Sequence, residues 1–187
     1  GDLPDEFELS LASAYIDRYI TFFAIGEFNK ALDDIENALE ILERLYKQEK
    51  MLDPELRACS YINKGSVYDV LSDYDKALTD YNRGIELYEE LVNDDMLYAL
   101  SSLASAYMSR ATLNASLAAD YEGALIDANR CIEIRESLSS AERLFHLTEL
   151  EVEYLNRSRI HKALGNHENA RNDKRKSNEI KKHIKRR

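Results

Sequence analysis

One pattern returns four times along this chain, and it restricts the fold more than any other feature. It reads GEFNKALDDIENAL from Gly26, SDYDKALTDYNRGI from Ser72, ADYEGALIDANRCI from Ala119 and GNHENARNDKRKSN from Gly165. The anchors Phe28, Tyr74, Tyr121 and His167 stand 46, 47 and 46 residues apart. Each is followed three residues later by an alanine (Ala31, Ala77, Ala124, Ala170) and then by an aspartate (Asp34, Asp80, Asp127, Asp173). A second signal precedes each anchor, a Tyr-x-x-Arg/Lys step: YIDRY from Tyr15, YINKG from Tyr61, YMSRA from Tyr107 and YLNRS from Tyr154. The third copy has one extra residue between its two signals, which places an insertion in the ASLAAD turn at 115–120.

In both segments of each unit, apolar and small residues recur at three- and four-residue steps, the period of an amphipathic helix. Leu78, Tyr81, Ile85, Tyr88 and Leu91 fall on one such face. Each unit is therefore a helical hairpin, and a hairpin cannot bury its apolar face alone, so neighbours must stack. The alanines fit that need, because small side chains let helix axes approach. Eight helices are expected, over roughly 5–25, 27–50, 54–71, 73–92, 95–117, 120–137, 140–164 and 166–185. Two prolines and six glycines leave little to interrupt them. Asp53-Pro54-Glu55 offers an N-cap with proline in the first turn. Ser139-Ser140-Ala141-Glu142 has the spacing of a capping box, and Asn93-Asp94-Asp95 reads as a break and cap.

The paired charges of the repeat carry a prediction. Arg18 with Asp34, Lys64 with Asp80, Arg110 with Asp127 and Arg157 with Asp173 recur at equivalent places and are expected to form one ion pair per hairpin. A metal or acid/base array is the poor alternative. Carboxylates placed one per repeat are separated by helix-packing distances of about 10 Å, too far to share an ion.

These motifs resemble the tetratricopeptide (TPR) repeat family, and the second copy is the best match, with Tyr61, Gly65, Tyr68, Tyr74, Ala77, Tyr81 and Gly84 in the family's aromatic and small positions. The resemblance covers about Leu11 to Asn178. The period departs from the family's usual length of about 34 residues, which identifies a long-helix variant with a period of 46 residues. The resemblance implies an all-α, right-handed α-α superhelix (solenoid) of four TPR-like helix hairpins, eight helices in one domain spanning 1–187. The repeats fall at about 5–50, 54–92, 95–137 and 140–185, and the last is a degenerate capping hairpin with a basic C-terminus.

It also implies a function. Proteins of this family commonly bind peptides or partner segments on the surface lined by the first helix of each unit. Here that concave groove would be lined by Ile16, Asp17, Ile20, Ile62, Asn63, Ser66, Asp69, Met108, Ser109, Thr112, Leu155, Asn156 and Arg159. Some members grip a C-terminal carboxylate with lysines, arginine and asparagines on these faces. In this chain Ile16, Ile62, Met108 and Leu155 follow the tyrosines, so no such clamp is expected. An apolar stripe with amides and hydroxyls suits an amphipathic helix or an extended segment. The competing reading is that these residues only pack against one another.

Catalysis has no sequence support. There is no glycine-rich phosphate loop, no HExxH and no nucleophile elbow. No Cys/His spacing resembles a metal site, and Cys59 and Cys131 read as free thiols. The expected function is a non-enzymatic scaffold or adaptor with a protein or peptide partner, no cofactor and no metal. The alternative is a sensor or regulatory domain of a larger signalling or transcription protein, which a start at Gly1 rather than Met also fits. No apolar run is long enough to span a membrane and no signal peptide is visible, which gives a cytoplasmic expectation. The net charge is −10, yet 171–187 holds nine Lys/Arg against two Asp/Glu. That basic end reads first as a solvated helix face favoured near a helix C-terminus. Nucleic-acid contact is the weaker reading, because no aromatic residues interleave with the cations. The sequence leaves the oligomeric state open.

Overall fold

The structure, a computed structural model, describes residues 5–50, 53–94, 96–117, 120–139 and 144–186. Among them are eight α-helices and no strand: α1 (Asp5–Ala24), α2 (Phe28–Lys47), α3 (Pro54–Val70), α4 (Tyr74–Asn93), α5 (Leu100–Ser116), α6 (Tyr121–Ser139), α7 (Leu144–Ala163) and α8 (His167–Lys185). They pair as four antiparallel hairpins, the TPR-like all-α architecture expected from the repeat. The chain divides into two compact units, Gly1–Leu97 and Tyr98–Arg187, each holding two hairpins.

The turns inside the hairpins follow from backbone sterics. Gly26 and Gly165 adopt positive φ, of 80° and 75°, as does Ser72 at the equivalent place in the second hairpin, at 63°. At each, the next residue's N–H reaches back five residues: Glu27 to Phe22, Asp73 to Tyr68, Asn166 to His161. This is the helix-ending geometry that favours glycine after the last turn. The corresponding turn of the third hairpin, where the sequence places its insertion, lies partly outside the described residues.

Helix starts agree with the cap reading at α3, where the Asp53 carboxylate accepts from Leu56 N–H at 3.1 Å and Pro54 opens the first turn. The capping box at 139–142 lies largely outside the described residues. The fifth helix, expected from residue 95, begins instead at Leu100. A single 3-10 turn at Leu97–Ala99 precedes it, and no side chain caps its first turn.

Packing follows the repeat. Ala31, Ala77 and Ala124 are wholly buried and Ala170 nearly so. In the first unit Ala12, Ile16, Tyr19, Ile35, Ala38, Leu42 and Val67 form one cluster. In the second, Ile132, Leu150 and Tyr154 pack together, with Ile180 of α8 against them. On α4, Tyr81, Ile85, Tyr88 and Leu91 of the expected face are buried, and Leu78 is half-buried.

Candidate functional site

All four predicted ion pairs are present. Arg18 meets Asp34 at 2.6 Å, Lys64 meets Asp80 at 3.2 Å, Arg110 meets Asp127 at 2.7 Å and Arg157 meets Asp173 at 2.7 Å. The three arginines are bidentate, Nε to one carboxylate oxygen and Nη2 to the other. The tyrosine of each Tyr-x-x-Arg/Lys step flanks its cation, with 5.4, 5.7, 5.9 and 5.3 Å from the ring centroid for Tyr15, Tyr61, Tyr107 and Tyr154. The motif thus encodes a cation held between a ring one helical turn back and a buried aspartate on the second helix. Two of these tyrosines also join hairpins within a unit. Tyr61 donates to Glu43 of α2 at 2.9 Å, and Tyr154 donates to Glu136 of α6.

Water access grades these pairs. The Arg18 side chain is 58% exposed and that of Arg157 only 16%, with Asp173 nearly covered. Arg157 also donates to Asn129 of α6 at 2.9 Å. Arg157→Met should therefore destabilise the protein by about 2 kcal/mol, because it strands a buried carboxylate. Arg110→Met should cost less and Arg18→Met least, since an exposed partner is replaced by water. Urea unfolding of the three variants reads that order.

The predicted groove residues separate into two groups. Ile16 and Met108 are each only 8% exposed, and Ile16 belongs to the core cluster of the first unit. Ile62 is half-buried and its side chain lies against Gly84. Leu155 is half-buried. Reachable from solvent in the first unit are Asp17 and Ile20 on α1 and, in part, Asn63, Ser66 and Asp69 on α3. Tyr19 links the two helices, donating to the Asn63 carbonyl at 3.5 Å, and Tyr81 donates to Ser66 Oγ at 3.3 Å. Burial pushes the Asp69 carboxyl above its ordinary range.

In the second unit three of the predicted residues come together. Thr112 of α5 and Asn156 and Arg159 of α7 line an open cleft of about 300 Å³, with Ala115, Tyr121 and Ile160 among its other walls. Its lining is chiefly apolar. The Arg159 guanidinium donates to Asn156 Oδ1 at 3.0 Å and sits exposed at the edge. Ser109 lies half-buried on α5, its hydroxyl donating to the Ser105 carbonyl at 3.1 Å. Tyr121 was legible only as a repeat anchor.

A buried polar network in the same unit was not anticipated. Arg135 of α6 is wholly buried. It donates to Glu153 at 3.0 Å, to Glu149 at 3.4 Å, and to the hydroxyls of Ser101 and Ser105 at 2.6 Å each. Ser101/Ser105 and Glu149/Glu153 are both four-residue steps on helices flanking α6, but nothing in the sequence turns Arg135 toward them. Burial pushes the Glu153 carboxyl up, against the opposing pull of Arg135. Burial likewise pushes the Cys131 thiol well up, so it stays protonated and unreactive. Both cysteines are free, and among the described residues no group of three or more His, Cys, Asp or Glu is placed to hold a metal ion.

The family model of the tetratricopeptide repeat matches residues 60–91. This chain carries a tetratricopeptide repeat. The match falls on most of α3 and α4, the copy with the fullest set of aromatic and small positions. The TPR-like fold extends over the rest. BtubC (BKLC) from P. vanneervenii superposes with a TM-score of 0.81 at 19% identity, covering 98% of this chain and 67% of that one. MamA superposes at 0.67 and 15% identity, covering 94% and 81%. A kinesin light chain structure from P. anserina, built of nearly identical TPR-like repeats, gives 0.62 and 15%, covering 94% and 77%. At these identities the likeness is one of fold. No curated protein matches the chain by sequence. The longer TPR period is explained by helices of 17 and 20 residues in the matched unit. No helix among the described residues is long and apolar enough to cross a membrane.

Proposed function

We propose that this TPR-like chain is a non-enzymatic interaction module that holds a segment of a partner protein against its first helices. The observation that carries this reading is the cleft between α5 and α7 in the second unit. It gathers Thr112, Asn156 and Arg159, three of the residues to which the family resemblance points, and its volume of about 300 Å³ accepts one large side chain. The apolar walls favour a leucine or aromatic anchor. Arg159 at the edge favours a neighbouring carboxylate, and the Asn156 amide a backbone carbonyl. In the first unit Asp17, Ile20, Asn63, Ser66 and Asp69 are the corresponding contacts, on α1 and α3. The absence of a basic clamp argues against recognition of a free C-terminus.

A random-peptide display selection against the whole chain tests this. Enriched peptides should share a large apolar residue beside an acidic one. Ala163→Trp, which fills the cleft, and Arg159→Glu should each weaken their binding at least tenfold. Ile126→Glu, an exposed position on α6 outside the cleft, should leave it unchanged. Peptides that bind the filled variant as well as the native chain would refute the assignment.

A further inference from the structure

Within each unit the second helix of one hairpin receives the first helix of the next through hydrogen-bond acceptors. On α2, Glu36 accepts from Tyr68 at 3.0 Å, and Glu43 accepts from Arg57 at 2.6 Å and from Tyr61 at 2.9 Å. On α6, Asn129 and Glu136 hold the equivalent positions and accept from Arg157 and Tyr154. The repeat register carries these two positions onto Arg175 and Lys182 of α8. The polarity of the stacking face is therefore reversed at the last hairpin.

The reversal extends along the helix. The packed face of α8 is Ala170, Asp173, Ser177 and Ile180. Away from it, at helical spacing, stand Arg171, Lys174, Arg175, Lys182, Lys185 and Arg186, all exposed, with the exposed carboxylates Glu168 and Glu179 on the same outward side. Arg175 donates to Asn172 Oδ1 at 2.8 Å and has one distant ion-pair contact, with Glu179 at 4.0 Å, and the nearby Lys181 is taken by Glu151 at 3.4 Å. Among the described residues the other five stripe cations have no ion-pair partner. A solvated cap needs polarity but not this excess of one sign, six cations against two carboxylates, and the chain as a whole is acidic.

We infer that this stripe docks an acidic amphipathic helix of a partner protein, laid antiparallel along α8 as α3 lies on α2. The argument is charge complementarity in a geometry the molecule already uses twice. The register is specific. Carboxylates are required where α3 carries Arg57, Tyr61 and Tyr68, a spacing of i, i+4 and i+11. Nucleic acid is disfavoured because the stripe offers no aromatic platform for bases.

The test uses the full chain and a labelled alanine-based helical peptide of about five turns with glutamates in that register. Its control has the same composition with the glutamates spread around the helix. Fluorescence anisotropy at low salt should give at least tenfold tighter binding of the registered peptide, weakened by added salt. Arg175→Glu/Lys182→Glu should abolish binding, and a peptide with lysine at the register positions should recover it. Both positions are exposed, and circular dichroism checks that the variant stays folded. Equal binding of the scrambled peptide, tighter binding of duplex DNA, or failure of the charge swap would each overturn the inference.

Discussion

Replacing Arg135 with methionine should destabilise the second unit by about 3–5 kcal/mol, the cost of removing one partner from a buried ion pair. The loss is large because Arg135 is the only cation that meets Glu153 among the described contacts, and Glu153 Oε2 already lacks a hydrogen-bond partner. Removing the guanidinium also strips Ser101 and Ser105 of their donor. The pH dependence separates this account from simple loss of packing. Burial holds the Glu153 carboxyl above its ordinary value of 4.5. A carboxyl raised on folding stabilises the native state when protonated and loses that contribution as pH rises through its folded value. Without Arg135 the carboxyl should rise further. The gap between native and variant should thus narrow as pH falls toward 4.5 and widen toward neutrality. Adding Glu153→Leu to Arg135→Met should recover much of the stability. Urea melts at both pH values check all three statements, and a gap independent of pH would leave packing as the cause.

The hairpins and their ion pairs were legible because they repeat. Four copies of one spacing fix a register, and the register alone matched Arg18 to Asp34 and Arg157 to Asp173 across the hairpin turns. Capping chemistry at Asp53 was legible for the same reason that it works, an acceptor one turn ahead of an exposed N–H. Features that occur once were not. The Arg135 network joins three helices through residues that look like ordinary surface polars in isolation, and only packing turns α6 so that its arginine points inward. The apolar stripe after each tyrosine reads as one class in the sequence, yet Ile16 and Met108 are covered while Ile62 and Leu155 stay half-buried. A helical period gives the direction of a side chain but not how much of it a neighbouring helix covers. The start of α5 is misplaced in the sequence reading because Asn93-Asp94-Asp95 looks like a cap, whereas Asp94 follows the end of α4 and the true start, with Ala99 at the N-cap, has no side-chain cap.

Gly65→Val should cost about 3 kcal/mol, and Gly65→Ala about 1 kcal/mol despite alanine's better helix propensity. A β-carbon at Gly65 would lie 2.8 and 3.0 Å from two ring carbons of Tyr81 and 3.1 Å from the Ala77 carbonyl oxygen. Neither neighbour can give way easily. Tyr81 is almost wholly buried and its hydroxyl is held by Ser66, and the carbonyl belongs to the α4 backbone. Gly84 supplies the internal control. A β-carbon there meets the Ala58 carbonyl oxygen at 3.1 Å, the same backbone distance as at Gly65, so the two sites differ in the side chain they meet: here Ile62 Cδ1 at 2.4 Å and Cγ1 at 2.7 Å, from a half-buried side chain. Ile62 can rotate away, and the gain of about 1 kcal/mol from replacing a mid-helix glycine offsets the displacement. Gly84→Ala should therefore cost clearly less than Gly65→Ala. Thermal unfolding of the two variants decides it. Equal losses would mean that the whole hairpin, rather than the ring of Tyr81, sets the distance between α3 and α4. A larger loss at Gly65 identifies the aromatic–glycine contact as the element that holds the two helices at close approach, and explains why that copy of the repeat, with glycine at both crossing points, is the one that keeps the family's pattern most fully.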